Sequence, residues 1–297
     1  MYQVTGHNHS PAGVARPWSR LAAVVVATLG LTTIPIDRAL ATARTRPATI
    51  ISSFPTWGGS ASALTGVRDP AHPSGWAPPA PTAIRGEHLV YVADFTGKSL
   101  PAGWMAFNGS PGSDTSSRWA PSHVTVANGM LRLQTFRDPH LANGWVSGGL
   151  CQCGRPRTYG SYFVRSRATG PGPTQVELLW PVAGWPPEID FDESYGATTM
   201  SMATTHFGSH NAQIQRTVFV NLTKWHTWGV IWTPRSITYT VDGHVWGSVS
   251  VPAAVPNQLM TLNIQQQTWC SSGWACPKSP QSLLVDWVAE YAPNGSN

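Results

Sequence analysis

The chain has 297 residues, a formal net charge of +5 and only 11% charged residues, with no Lys/Arg run of five or more. That balance excludes a nucleic-acid-binding stripe and a charged disordered tail. With 28 Gly, 26 Pro and 15 Trp, and no window that sustains a helical period, a helical bundle is excluded and short strands joined by turns are expected.

At the N-terminus, Arg16 and Arg20 precede an apolar run from Leu21 to Ile36, and Ala39-Leu40-Ala41 has the small-x-small form of a cleavage site. The pattern predicts a secretion signal peptide over residues 1–41 and a secreted, extracellular protein. Pro35 and Asp37 end the apolar run too early for a membrane span, so no membrane association is expected once the signal is removed. Residues 42–87 are rich in Pro, Ser, Gly, Ala and Thr without periodicity, and read as a poorly ordered linker.

From His88 onward strand candidates recur: 88–95, 123–127, 130–135, 160–167, 175–180, 188–193, 201–207, 216–220, 226–232, 236–241, 260–267 and 282–291. Asn128-Gly129 and Asp242-Gly243 lie between apolar alternations and predict two-residue hairpins. A dozen antiparallel strands in about 200 residues predict an all-β sandwich of two sheets. The tryptophans suit either a bulky core or a groove that stacks on flat ligand faces. Four cysteines suit an oxidising compartment and admit three pairings. One of these closes the Ser-Ser-Gly-Trp-Ala loop between Cys270 and Cys276. The Cys151-x-Cys153 and Cys270-x5-Cys276 spacings match no common zinc pattern.

Two strands carry chemistry. In Leu262–Trp269, Asn263, Gln265, Gln267 and Trp269 share a face, a set suited to hydrogen-bonding hydroxyls and stacking on rings. In Glu188-Ile-Asp-Phe-Asp-Glu193, four of the 14 acidic residues of the chain stand within six positions. Carboxylates aligned on one strand face repel one another, a cost tolerated where function needs it. Strict alternation puts Glu188, Asp190 and Asp192 on one face and Glu193 in the core, where a charge is expensive. One extra residue, a β-bulge, returns Glu193 to the face of Glu188 and Asp190. Two glutamates so placed suit a retaining glycosidase, in which one attacks and the other carries a proton. A calcium-binding cluster is the alternative, but calcium ligands usually stand on a Gly-containing loop and not on a strand of Ile and Phe.

The Glu188–Glu193 hexapeptide resembles the bulged Glu-x-Asp-x-x-Glu signature of glycoside hydrolase family 16, of the laminarinase and β-glucanase type. Tyr159–Arg167, Trp225–Gly243 and Val285–Tyr291 are similar to further strands of that family. The resemblance covers roughly 88–293, makes 88–297 a catalytic domain and implies a concanavalin-like β-jelly roll with a cleft on its concave sheet. It implies Glu188 as nucleophile, Asp190 as assisting carboxylate and Glu193 as general acid/base. Trp185 resembles the indole flanking the cleaved sugar, and His206 a cleft histidine. Asp286 matches a position that binds a structural calcium in some members; no other cofactor is implied.

The expected activity is secreted, endo-acting, retaining hydrolysis of a β-linked polysaccharide, most simply β-1,3- or β-1,3/1,4-glucan, by a monomer. The alternatives are a transglycosylase acting on cell-wall glycan and a non-catalytic glycan-binding module of the same shape. Phe191-Asp192-Glu193 stands where many laminarinase-like members have Ile-Met-Glu, and Gln175–Trp180 where many have a Trp-Pro-Ala-Phe-Trp run. These departures leave the glycan open.

Overall fold

The structure, a computed structural model, describes residues 61–111, 116–141 and 144–295. The signal peptide expected over 1–41 and the first part of the linker, 42–60, lie outside these residues. Two antiparallel sheets dominate the fold. The seven-stranded sheet runs, edge to edge, through Ala212–Val218, Ser201–Phe207, Glu188–Glu193, Thr174–Pro181, Met260–Gln267, Gly149–Cys151 and Met105–Ala106. The ten-stranded sheet has Gly160–Ala168 and the long strand Gln281–Pro293 at its centre, with His226–Trp232, Ile237–Val241 and His244–Val249 on one side and Met130–Asp138 on the other.

The core between the sheets is built by period-two alternation. Leu179, Ile189, Phe191, Leu262 and Ile264 come from the smaller sheet, and Val164, Trp228, Val230, Trp232, Leu283 and Val285 from the larger. Some of the tryptophans are therefore core, while Trp180 and Trp185 stay exposed on the other face of the smaller sheet.

Every candidate strand from His88 onward is a strand. The largest displacement is in the edge strand, which spans Ala212–Val218 and not 216–220. The chain turns back at once after Phe207, with the Asn211 amide bonded to the Gly208 carbonyl, so pairing begins at Ala212. The resulting strand is largely exposed and lacks an apolar alternation to read. Both hairpins form, with positive φ at both turn residues: 56° and 70° at Asn128 and Gly129, 48° and 76° at Asp242 and Gly243. The cysteines pair with their nearest neighbours in sequence, Cys151 with Cys153 and Cys270 with Cys276, and none is free to hold zinc.

Residues 61–87 correct the expectation of a poorly ordered linker. A short helix, Ala61–Thr65, and a two-stranded ribbon, Val67–Arg68 with Trp76–Ala77, lead into a strap over the outer face of the larger sheet. Leu64 and Ile84 pack on Phe163, Ile231, Trp287, Ala289 and Tyr291 in a second apolar cluster. The Trp287 indole donates to the Trp76 carbonyl at 2.7 Å, the Tyr291 hydroxyl to the Pro79 carbonyl at 2.8 Å, and the Thr227 hydroxyl to the Thr65 carbonyl at 2.7 Å. The strap is held largely through its backbone, so its Pro/Gly-rich composition left no side-chain pattern.

Candidate active site

The bulge is present. On the Thr174–Pro181 side, Glu177 pairs with Asp192 and Leu178 with Asp190, leaving Phe191 unpaired. On the other side, Glu188 pairs with His206, Asp190 with Thr204 and Glu193 with Met202, so three steps along one strand match two along its neighbour. His206, Thr204 and Met202 alternate regularly, so Glu188, Asp190 and Glu193 share one face. Phe191 and Asp192 are both fully buried behind them. The extra residue removes the conflict that strict alternation created at Glu193.

Glu188 and Asp190 share a hydrogen bond, and the Trp185 Nε1–H donates to Glu188 Oε2 at 2.7 Å. His206 Nε2 lies 3.3 Å from Asp190 Oδ2, while His206 Nδ1 is 2.7 Å from Asn211 Oδ1, which fixes the ring. The Tyr195 hydroxyl bonds to Glu193. Burial raises the pKa of all three carboxyls above the ordinary range, and each is raised further by a carboxyl neighbour. Glu193 is pushed up to about 7, against the opposing effect of the Tyr195 hydroxyl. The site therefore holds protons at neutral pH, as a cluster divided between an attacking and a donating carboxyl requires. Ligand atoms of Glu188, Asp190 and His206 lie within 4.8 Å of one another, the one convergent set of this kind among the described residues. Their mutual hydrogen bonds already occupy them.

The other expected cleft residues are distributed around this centre. Trp185 stacks on Trp180 with centroids 6.3 Å apart and planes 15° apart, and its centroid is 5.9 Å from that of His206. At 46% and 39% exposure, the two indoles are open to a ligand. Gln265 pairs with Val176, which pairs with Glu193, so it lies on the same face about 10 Å from the strand of carboxylates. Its amide donates to Gln267 Oε1 at 3.2 Å, and Gln267 is buried. Trp269 stacks on Trp274 at 4.8 Å. Trp180, Tyr195, Asn211 and Trp274 were not singled out from sequence. Trp180 had a signal, since its parity opposes the core residue Leu179; Tyr195 and Trp274 had none.

Behind the site, Asp192 and Glu177 form a cross-strand pair that is fully buried between the sheets. Asp192 accepts from Gln175 Nε2 at 2.6 Å and from the Ser201 hydroxyl. Burial pushes Asp192 up to about 7 and Glu177 well above its ordinary value, with Asp192 adding to the shift of Glu177. A carboxyl with a raised folded-state pKa stabilises the fold fully below its unfolded value, near 4, and loses that contribution as pH rises through the folded value. Stability is thus expected to fall between about pH 4 and 7 and beyond. Glu177→Gln, which keeps the size and removes the charge, is expected to flatten that decline. The difference in Tm between pH 5 and pH 8 should shrink by about 2–4 °C per kcal/mol of relieved repulsion. An unchanged difference in melting scans would show that this pair does not carry the effect.

Asp286 belongs to the other sheet. It stands at a bulge opposite Arg165 and Ser166 and faces outward beneath the strap. Its Oδ2 accepts from the Ser74 amide at 3.0 Å, and its Oδ1 lies 3.5 Å from His72 Nδ1. The nearby Arg165 guanidinium donates to the Ser74 hydroxyl at 2.7 Å. A calcium ion takes about six to eight oxygen ligands. The groups around Asp286 are N–H donors and a cation, so they do not fit the calcium expected there.

A two-sheet jelly roll with a bulged strand of carboxyls beside exposed, stacked indoles defines a class: enzymes that cleave glycosidic bonds. Residues 112–289 match the description "Glycosyl hydrolases family 16", and the chain belongs to this family. A search of curated proteins found no match. The fold is similar to that of SCLam, a non-specific endo-β-1,3(4)-glucanase, at 22% identity, covering 80% of this chain and 100% of that one with a TM-score of 0.63. It is also similar to the laminarinase from Rhodothermus marinus (22% identity, 70% and 99% covered, TM-score 0.61). A third such structure is the endo-1,3-β-glucanase catalytic domain from Thermotoga petrophila (16%, 70% and 99%, TM-score 0.59). The chain is a glycoside hydrolase.

Proposed function

We propose that this chain is an exported, endo-acting, retaining β-glucanase that cleaves β-1,3 or mixed β-1,3/1,4 linkages. The observation that carries the proposal is the bulge-enforced alignment of Glu188, Asp190 and Glu193 on one face. Glu188 attacks the anomeric carbon while Glu193 gives its proton to the leaving oxygen, and a glycosyl-enzyme ester forms. The Glu193 carboxylate then takes a proton from water. The water oxygen attacks the same carbon and Glu188 departs, so the configuration is retained. Asp190 positions Glu188 through their shared hydrogen bond, and Trp185 holds the other side of the nucleophile. Exposed indoles beside the carboxyls suit stacking on the sugars of an internal stretch of glycan. The activities of SCLam, a non-specific endo-β-1,3(4)-glucanase, and of the Rhodothermus marinus laminarinase favour β-glucan.

The test is hydrolysis of laminarin, lichenan, agarose, carrageenan and galactan with product analysis. Short oligosaccharides from laminarin or lichenan are expected. Release from agarose, carrageenan or galactan alone would overturn the substrate, and products longer than a supplied oligosaccharide would identify transglycosylation. With the Glu193 pKa near 7, the acid loses its proton as pH rises, so kcat/KM is expected to fall above about pH 7. A pH profile flat from 6 to 9 would remove Glu193 from the acid role.

A further inference from the structure

The loop closed by Cys270–Cys276 has no part in the chemistry above, yet it abuts the residue that bonds to Glu193. The geometry points to Tyr195, Trp269 and Trp274 as an aromatic platform for the leaving-group sugar, held in place by that disulfide. This inference rests on the β-glucanase reading and extends it.

Three observations support it. First, the rings form one continuous group. Trp274 stacks on Trp269 at 4.8 Å and 15°, and its centroid is 5.4 Å from that of Tyr195, which is 36% exposed. Second, the platform adjoins the proton donor. The Tyr195 hydroxyl bonds to Glu193, so the sugar whose oxygen receives the proton meets these rings. The stack of Trp180 and Trp185 stands instead at Glu188, the group that attacks the other sugar. Each carboxyl thus has its own aromatic surface, one for each side of the broken bond.

Third, the arrangement is built. Tyr195 has φ 51°, a left-handed conformation rare for a non-glycine residue and found where a site holds it in place. Its amide donates to the Thr174 hydroxyl at 2.9 Å. Gly196 follows at φ +80°, and a Cβ there would meet Ala275 Cα at 2.7 Å and the Gly172 carbonyl oxygen at 2.6 Å. Only glycine lets the turn lie this close to the loop. The loop is tied down in turn: the Trp269 amide donates to the Ala275 carbonyl, and the Thr268 amide to the Ser117 hydroxyl. The disulfide spans a separation of six residues between the two tryptophans' surroundings. Binding energy from a sugar remote from the reacting carbon is used in the transition state, so losing the platform lowers kcat/KM for substrates that present such a sugar.

The test uses the full chain and two substrates that share a glycone: laminarihexaose, whose leaving group is sugar, and 4-nitrophenyl β-laminaribioside, whose leaving group is not. The readout is the ratio of kcat/KM on the first to that on the second. Trp274→Ala is expected to lower the ratio about tenfold, and Trp274→Phe to restore most of it. The double variant Cys270→Ser/Cys276→Ser should shift it in the same direction. Trp274→Leu, which keeps bulk in the loop, takes the place of Trp274→Ala should the latter fail to fold in melting scans. An unchanged ratio in the Trp274 variants overturns the platform, as does an equal loss on both substrates, the mark of a merely structural role. An unchanged ratio in the cysteine variant alone overturns the part assigned to the disulfide. A wild-type chain that hydrolyses neither substrate overturns the β-glucanase reading itself, and the platform with it.

Discussion

Glu188→Gln is expected to abolish hydrolysis of every glycan the wild-type chain cleaves, and to leave the melting temperature at pH 8 unchanged or higher. The combination follows from the electrostatics of the strand. Burial and the neighbouring Asp190 make the ionised form of Glu188 costly, so a neutral residue of the same size relieves the fold while removing the attacking group. Glu193→Gln is expected to cost about 10²–10⁴-fold in kcat on glycan. On an aryl glycoside whose leaving group needs no proton, the first step should suffer far less, which separates the two roles. Activity is measured by release of reducing ends, and stability by thermal melting. Full activity in either variant would refute the assignment, and a lower melting temperature in both would recast the carboxyls as structural.

The site was legible because it breaks a rule. Glu193 falls on the wrong side of an alternating strand, and a bulge is the local repair, so a conflict visible in six residues predicted a backbone feature. Glu177 shares the parity of the core residue Leu179, a sign of burial that the strand reading did not use, so its pair with Asp192 emerged only from the fold. Tyr195 and Trp274 were not legible. They meet only because a left-handed turn, a glycine and a disulfide bring together residues about 80 positions apart, and none of these leaves a local pattern. Asp286 was misread for a related reason: its match to a metal-binding position is a match of one strand, while its surroundings come from His72 and Ser74, in a segment read as linker.

Deleting residues 61–86 from the full chain is expected to cost more stability than any single substitution on the sheet face that carries the carboxyls. The strap covers Phe163, Ile231, Trp287 and Tyr291 on the outer side of the larger sheet. Uncovering large apolar side chains costs about 1.5–3 kcal/mol each when burial is lost completely. Partial exposure of these residues therefore approaches the whole net stability of a domain, about 5–15 kcal/mol. The deletion also removes the acceptors of the Trp287 and Tyr291 donors, although water replaces these at an exposed face. Ile84→Asp in the full chain is the finer version, placing a charge where the side chain is 4% exposed. Both changes are expected to lower Tm, with the deletion having the larger effect, while kcat/KM on glycan at 20 °C is retained in the fraction that stays folded. The strap lies on the sheet opposite the carboxyls, so its loss acts through the folded population and not through the chemistry. Loss of kcat/KM without a drop in Tm would contradict that separation and tie the outer face of the sandwich to catalysis.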